Sequence, residues 1–167
     1  MKKIICVSLL CCFFNSLVAQ QQGAIIKSYA YSQEFMPGVQ RVDEEVKPIT
    51  NYFMYVEILK KTKIDVKYIW IGKACSIPTT ISVEKLPVVI INNGSRTIKE
   101  VASEELVPKT KNAVLQVMPT EPIEDTKLTT GKKLAAKNAF VIAYVYRGKW
   151  YYYTGKKIKQ LEKQFGM

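Results

Sequence analysis

The segment NAFVIAYVYRGKWYYYTG, residues 138–155, decides the fold of this chain. Two runs of β-branched and aromatic residues meet at Arg147, Gly148 and Lys149, which is typical of a β-hairpin. The loop is Gly148-Lys149 if the glycine comes first in the turn, and Arg147-Gly148 is the alternative. In both registers one face carries four tyrosines and the other face is also apolar. We therefore expect at least one strand of the hairpin to lie in a sheet that is covered on both sides.

Further strand patterns precede the hairpin. Residues 51–59 predict one strand and residues 64–71 predict the next. In the second strand we expect alternate side chains to face inward together, namely Ile64, Val66, Tyr68 and Trp70. Residues 119–133 contain two prolines, several threonines and Gly131, and they predict a long exposed loop. Residues 156–165 have Ile158, Leu161 and Phe165 at helical spacing, which predicts a short C-terminal helix.

The strand pattern resembles that of immunoglobulin-like domains. Strand 51–59, followed by Trp70 in the next strand, resembles strands B and C of that fold, and the tyrosine hairpin resembles strands F and G. The cysteine pair that brackets the core of those domains is absent. The resemblance, together with the regular Pro and Gly turns, implies an all-β, immunoglobulin-like antiparallel β-sandwich of seven to nine short strands with a short C-terminal helix. It implies a fold and no function.

The N-terminal segment has the pattern of a secretory signal peptide. Lys2 and Lys3 precede an apolar run over 4–14, and Ala19 is a small residue before the expected cleavage. We expect residues 1–19 to be removed and residues 20–167 to form one exported domain, located in the periplasm, at the cell surface or outside the cell. The apolar run is too short for a permanent membrane span.

Lipidation is the alternative fate of the N-terminal segment, at Cys11 or Cys12. It is disfavoured because Leu10 occupies the position where a lipoprotein signal needs a small residue. Removal of residues 1–19 leaves Cys75 as the single cysteine, so no intramolecular disulfide can form. We expect Cys75 to be a buried, unreactive side chain.

The sequence offers little support for an enzyme. The absence of histidine excludes a Ser-His-Asp triad, a His-ligated metal and an imidazole general base. Carboxylates remain in three clusters beside expected turns: Asp43-Glu44-Glu45, Glu104-Glu105, and Glu121 with Glu124-Asp125. Paired carboxylates hydrolyse glycosidic bonds only when they face each other across a cleft. We therefore expect no catalytic residue, metal ion or cofactor, and a carboxylate-dependent hydrolase of envelope polysaccharide is the alternative.

The charge distribution points to the C-terminal quarter. Without Lys2 and Lys3, 23 basic residues stand against 14 acidic residues, a net charge of +9. Residues 20–125 hold 13 of each kind, whereas residues 126–167 hold ten basic residues and a single acidic one, Glu162. Such asymmetry is typical of a surface that attracts an acidic partner, although a solvated face that promotes solubility has the same pattern.

We therefore expect an exported, non-enzymatic binding module whose partner is an acidic protein, an anionic polymer or a membrane surface. Nucleic acid is disfavoured, because the chain has only three arginines against 22 lysines and is expected to be exported. A structural subunit that joins neighbours by β-strand addition is a further alternative. The expected binding residues are Tyr144, Tyr146, Arg147, Lys149, Tyr151, Tyr153, Lys156 and Lys157.

Overall fold

The computed structural model describes residues 23–38, 47–92, 102–124 and 128–165. The expected signal segment and the acidic cluster at 43–45 lie outside the described residues. The described residues form eleven strands and one helix: β1 (Ile25–Met36), β2 (Ile49–Ile58), β3 (Asp65–Ile71), β4 (Ala74–Ser82), β5 (Val88–Asn92), β6 (Ala102–Val107), β7 (Ala113–Pro122), α1 (Thr129–Ala135), β8 (Phe140–Tyr146), β9 (Lys149–Gly155), β10 (Lys159–Gln160) and β11 (Gln164–Phe165).

Nine strands form one curled sheet. Their order is β10–β1–β2–β7–β4–β3–β8–β9, with β11 also beside β1. Neighbouring strands are antiparallel, except that β10 and β11 run parallel to β1. The curl brings β1 and β9 together, since the Ser28 hydroxyl donates to the Tyr153 hydroxyl oxygen over 3.1 Å. β5 and β6 form a separate two-stranded sheet. The prediction of an all-β, sandwich-like fold is confirmed.

The inner face of the curled sheet holds the main core. Side chains from the start of β1 and from β2, β3, β7 and β8 pack together there: Ala24, Ile25, Met54, Val56, Ile58, Val66, Ile69, Val117, Phe140, Ile142 and Tyr144. Burying one large aliphatic or aromatic side chain stabilises a fold by about 1.5–3 kcal/mol. This cluster is therefore the main reason for the sheet to close on itself.

Two elements cover the outer face of the sheet. The β5–β6 hairpin packs Leu106 and Val107 against Tyr31 of β1 and Tyr55 of β2. Helix α1 packs against the outer side chains of β3, β4 and β8, which include Trp70, Cys75 and Val141. Cys75 is buried, as expected. Strand β8 is thus covered on both sides, which explains why neither of its faces is polar.

The turn of the C-terminal hairpin is Arg147-Gly148. Tyr146 pairs with Lys149, which leaves two loop residues. Both have positive φ angles, 50° at Arg147 and 73° at Gly148. This is the backbone of a type I′ turn, whose twist matches that of the flanking strands, and glycine adopts its second position without strain. The structure therefore has the Arg147-Gly148 loop rather than the loop in which the glycine comes first.

The prediction that alternate side chains of β3 face inward together is wrong after Val66. Val66 pairs with Tyr144, but the next pair is Tyr68 with Ala143, so an extra residue interrupts the register. A β-bulge of this kind shifts every later side chain to the opposite face. Val66 consequently packs on the inner face, whereas Trp70 is buried under α1 on the outer face.

The expected C-terminal helix over 156–165 is also wrong. This segment forms the two short strands β10 and β11 along the outer edge of β1. The Leu161 N–H donates to the Ser32 carbonyl over 2.8 Å, and the Gln33 side-chain amide donates to the Glu162 carbonyl over 2.9 Å. The edge of β1 offers hydrogen bonds at fixed positions, and these override a weak helical spacing.

The prediction of a loop over residues 119–133 is wrong for both ends of this range. Strand β7 continues to Pro122, and α1 begins at Thr129. Helix α1 has no side-chain cap at its N-terminus. It is held instead by packing, since Gly131 lies directly against the ring of Trp70 and leaves no room for a β-carbon.

This packing gives the first prediction, for Gly131→Ala. In an exposed helix this change stabilises by about 1 kcal/mol. Here the new methyl group overlaps the Trp70 ring, and overpacking costs about 1–3 kcal/mol. We expect a lower free energy of unfolding in a urea titration. The control is Lys133→Ala on the exposed side of α1, which should change stability by less than about 0.5 kcal/mol. A more stable Gly131→Ala variant would contradict the packing.

Candidate functional site

The tyrosine face of the hairpin turns toward the core. Tyr144 is 2% exposed, and Tyr146, Tyr151 and Tyr153 are half-buried against the inner cluster. The rings of Tyr144 and Tyr151 stack with their centroids 5.6 Å apart. Burial raises the pKa of the Tyr144 phenol, and backbone hydrogen bonds at Ile25 and Ala24 partly oppose that effect. Most of the tyrosine surface therefore packs inside the protein.

The structure separates the expected cationic residues into two groups. Arg147 and Lys149 are exposed at the hairpin turn, while Lys156 and Lys157 follow the other end of β9. A strand of this length spans roughly 20 Å at about 3.4 Å per residue. The eight expected binding residues therefore do not form one continuous site.

A stacked aromatic pair, in which Trp150 is exposed and Tyr68 is partly buried, lies beside the hairpin turn. Trp150 is 49% exposed and projects from the face of the hairpin opposite the tyrosines. Its ring stacks on Tyr68, with centroids 6.2 Å apart and planes inclined by 13°. Tyr68 in turn contacts buried Trp70 at 6.0 Å. The pair is thus a flat apolar platform that a core residue supports from below.

Exposed cations lie at the same end of the sheet as this platform. Arg147 places its guanidinium 5.0 Å from the centre of the Tyr146 ring, and Lys149 pairs with Tyr146, so both lie on the tyrosine side of the hairpin, opposite Trp150. Lys63 is exposed in the β2–β3 turn, which lies at the same end of the sheet because Asp65 pairs with Val145. The hairpin-tip surface is defined by Lys63, Tyr68, Arg147, Lys149 and Trp150. Aromatic rings beside cations suit a ligand that has both rings and negative charge.

Four exposed lysines lie at the opposite end of the sheet. The backbone brings their segments together, since the Gly72 N–H donates to the Ala139 carbonyl and the Ala139 N–H donates to the Gly155 carbonyl. A pocket of about 470 Å³ opens between α1 and the turn that contains Gly72 and Lys73. The far-end lysines are defined as Lys73, Lys137, Lys156 and Lys157.

Two other C-terminal lysines are neutralised by carboxylates from earlier in the chain. Lys159 pairs with Glu104, and this ion pair raises the pKa of the Lys159 ammonium. Lys163 pairs with Glu34 over 2.6 Å. The positive charge available to a partner is therefore smaller than the sequence count indicates.

The carboxylates of Glu104 and Glu105 do not face each other across a cleft, as a hydrolase would require. Glu104 and Glu105 are neighbours on β6, so their side chains point to opposite faces. Across the residues that the structure describes, no three His, Cys, Asp or Glu side chains are grouped to hold a metal ion.

One buried carboxylate has a structural role. Glu57 accepts hydrogen bonds from the Thr110 hydroxyl at 2.5 Å, the Asn112 amide at 2.7 Å and the Tyr29 hydroxyl at 3.2 Å. The Thr110 hydrogen bond is the largest cause that lowers the pKa of Glu57, and burial opposes it. These bonds fasten the loop before β7 to β1 and β2.

Sequence reasoning missed Trp150 and Tyr68 as surface residues. The alternation of the hairpin already assigns Trp150 to the face opposite the tyrosines. It does not indicate which face is covered, because α1 lies in a segment with a loop-like sequence and stops short of Trp150.

No family model, curated protein or solved structure matches this chain. In the ranges described above, no helix is long and apolar enough to cross a membrane.

The second prediction concerns Glu57 and pH. Because its folded pKa lies below the unfolded value, its stabilisation is complete above the ordinary carboxyl pKa of about 4.3 and is lost as pH falls through the folded pKa. Glu57→Gln should lower the free energy of unfolding by about 2 kcal/mol at pH 7. It should also flatten the acid limb of a stability–pH curve measured by urea unfolding. Glu105→Gln, an exposed control, should leave the curve unchanged; identical curves for wild type and Glu57→Gln would contradict this role.

Proposed function

We propose that this protein is an exported, non-enzymatic binding module that engages an anionic envelope polymer through the hairpin-tip surface. The observation that carries the proposal is the exposed ring of Trp150, which stacks on Tyr68 at the cationic end of the sheet. Export rests on the signal-peptide pattern of residues 1–19. An acidic protein and a membrane surface share the same electrostatic chemistry and are the alternative partners.

The aromatic pair favours a binding role because its exposure is costly. A tryptophan that is half exposed forgoes part of the stabilisation that burial would bring, and exposed aromatic surface is enriched at binding sites. Trp150 offers a flat apolar face on which a sugar ring can stack. Tyr68 holds that face in place from below, so little side-chain entropy is lost when a ligand binds.

The charges favour an anionic ligand and supply attraction at a distance. Lys63, Arg147 and Lys149 carry positive charge at the same end of the sheet as the platform, while the nearby Asp65 is paired with Lys67 over 2.6 Å. Such exposed charges accelerate association and make it depend on salt, since the Debye length is about 8 Å at physiological ionic strength. Lysine, as a point charge, suits a polyanion with repeated carboxylates better than one defined geometry.

The third prediction locates the site by charge reversal. Lys60 is exposed in the same β2–β3 turn as Lys63 and completes a set of four cations. Replacing Lys60, Lys63, Arg147 and Lys149 by Glu should abolish binding to polygalacturonate, a carboxylated polysaccharide, in a titration that monitors Trp fluorescence. Reversing the four far-end lysines changes the net charge equally and is the matched control; it should retain most of the affinity. Wild-type binding should weaken steeply as salt is raised. Neutral dextran should not bind.

If reversing the far-end lysines abolished binding and reversing the hairpin-tip cations did not, the site would lie at the far end of the sheet. That result would contradict the proposed surface. Equal losses in both variants would indicate attraction by net charge alone. Binding that is insensitive to salt and to both reversals would indicate that the excess of positive charge only promotes solubility. Thermal unfolding of each variant separates loss of binding from loss of folding, because exposed charges contribute little to stability.

The fourth prediction tests the aromatic platform. Trp150→Ala should raise the dissociation rate by about tenfold, because stacking on an aromatic ring contributes on the order of 1–2 kcal/mol. The salt dependence of the association rate should stay unchanged, since no charge is lost. Trp150→Tyr, which keeps a flat ring, is the control and should retain most of the residence time. Equal dissociation rates for wild type and Trp150→Ala would show that the Trp150 ring does not contact the ligand, which would contradict the proposal.

A further inference from the structure

β2 and β7 are neighbours over only part of their length. The last pair of their ladder is Tyr55 with Gln116, although β2 begins at Ile49 and β7 continues to Pro122. Beyond this pair β2 remains paired with β1, and β7 remains paired with β4. The two strands diverge, and a cleft of about 510 Å³ opens between them. We call it the β2–β7 cleft.

Pro119 keeps the ladder from resuming after the strands have parted. If the register continued past Tyr55 and Gln116, Pro119 would lie opposite Tyr52. Proline has no backbone N–H to donate, and its ring takes the space of the missing hydrogen bond. The ladder ends three residues before Pro119, which disfavours pairing with Tyr52 and lines the cleft instead.

The backbone of Tyr52 points into the cleft. Tyr52 lies opposite Ser32 of β1, and the Ser32 carbonyl accepts from the Leu161 N–H on the side away from β2. In an antiparallel ladder the two residues of a pair turn their backbone groups either toward each other or both outward. The Tyr52 N–H and carbonyl therefore point away from β1. Thr50, two residues earlier in an unbroken register, points the same way.

We propose that the β2–β7 cleft binds an extended, uncharged peptide segment of another protein, which adds a strand to the free side of β2. Thr50 and Tyr52 have no strand partner on that side among the described segments. They present backbone donors and acceptors about 7 Å apart, the two-residue repeat of a β-strand. Only another extended chain matches that repeat, which is the basis of recognition by β-strand addition.

The lining of the cleft specifies the chemistry of the segment. Among the side chains that the structure describes along the cleft, none carries a formal charge: Thr50, Asn51, Tyr52, Phe53, Ile71, Ala74, Cys75, Ser76, Gln116, Met118, Pro119, Thr120 and Pro122. A charged side chain would lose its hydration there without a partner. The volume lies within the range of about 300–1,000 Å³ that is typical of binding sites.

This site is separate from the hairpin-tip surface. Ile71, which lines the cleft, pairs with Phe140 at the start of β8, whereas the hairpin turn follows the end of β8. The wall formed by β7 offers no N–H at Pro119, so the added strand pairs with β2 and only packs against β7. The proposal does not depend on the polymer-binding function.

The test uses a pool of acetylated and amidated hexapeptides whose positions are varied among Val, Ile, Thr, Ser and Gln. We expect the full chain to retain a fraction of the pool and the Thr50 and Tyr52 amides to become protected from hydrogen exchange when that fraction binds. The same peptides with alternate backbone nitrogens methylated lose donors along one edge. They should bind at least about tenfold more weakly, which corresponds to 1.4 kcal/mol or more.

Pro119→Val is the diagnostic variant. The new N–H can pair with the Tyr52 carbonyl and extend the β2–β7 ladder, so the cleft should close and peptide retention should fall. Pro108→Val, which makes the same replacement in the loop before β7, is the matched control and should retain the peptides like the wild type. In Pro119→Val the Tyr52 amide should be protected even without peptide.

Four outcomes would overturn the proposal: no retained peptide, equal retention by Pro119→Val, equal binding of the methylated peptides, or retention without protection of the Thr50 and Tyr52 amides. Protection that rises with protein concentration in the absence of peptide would assign the cleft to a second copy of this chain. Charge reversal at the hairpin tip should not affect peptide retention, so failure of the polymer-binding function leaves this test intact.

Discussion

The sheet of this protein has apolar side chains on both faces, and both faces must be removed from water. The inner face is buried by the curl itself, which brings Met54 of β2 and Phe140 of β8 into one cluster. The outer face is too large for one cover, so the β5–β6 hairpin and helix α1 each take a part. Surface that neither element reaches, including Trp150, is left exposed. The candidate binding platform is thus a direct result of how the outer face is divided.

The all-β class and the C-terminal hairpin could be predicted because they depend on local alternation. The bulge in β3 could not, because nothing local distinguishes Lys67 as the point where the register against β8 shifts. The strands at 159–160 and 164–165 escaped prediction for a related reason. Their spacing of apolar residues fits a helix, and only the exposed edge of β1, far away in the sequence, draws them into extended form.

The sequence predicted the positive charge of the candidate site, but not which cations are paired or which ring is exposed. The excess of basic residues after residue 126 follows from composition, but the pairing of Lys159 with Glu104 joins residues 55 positions apart. Which ring faces solvent depends on where α1 ends on the outer face, and α1 has no N-terminal capping signal in its sequence. Patterns along one chain therefore predicted the hairpin and its excess of positive charge, but not which of its rings is exposed.

The pairing of β10 and β11 with β1 has a consequence for the order in which this protein can fold. The Gln33 side chain is held by the carbonyl of a residue 129 positions later. During synthesis the outer edge of β1 has no cover until residues 159–165 have emerged, and a bare strand edge is a template for pairing with other chains. A topology closed by such distant contacts also folds slowly. The pairing of β10 and β11 with β1 is therefore the late step that protects this edge from other chains.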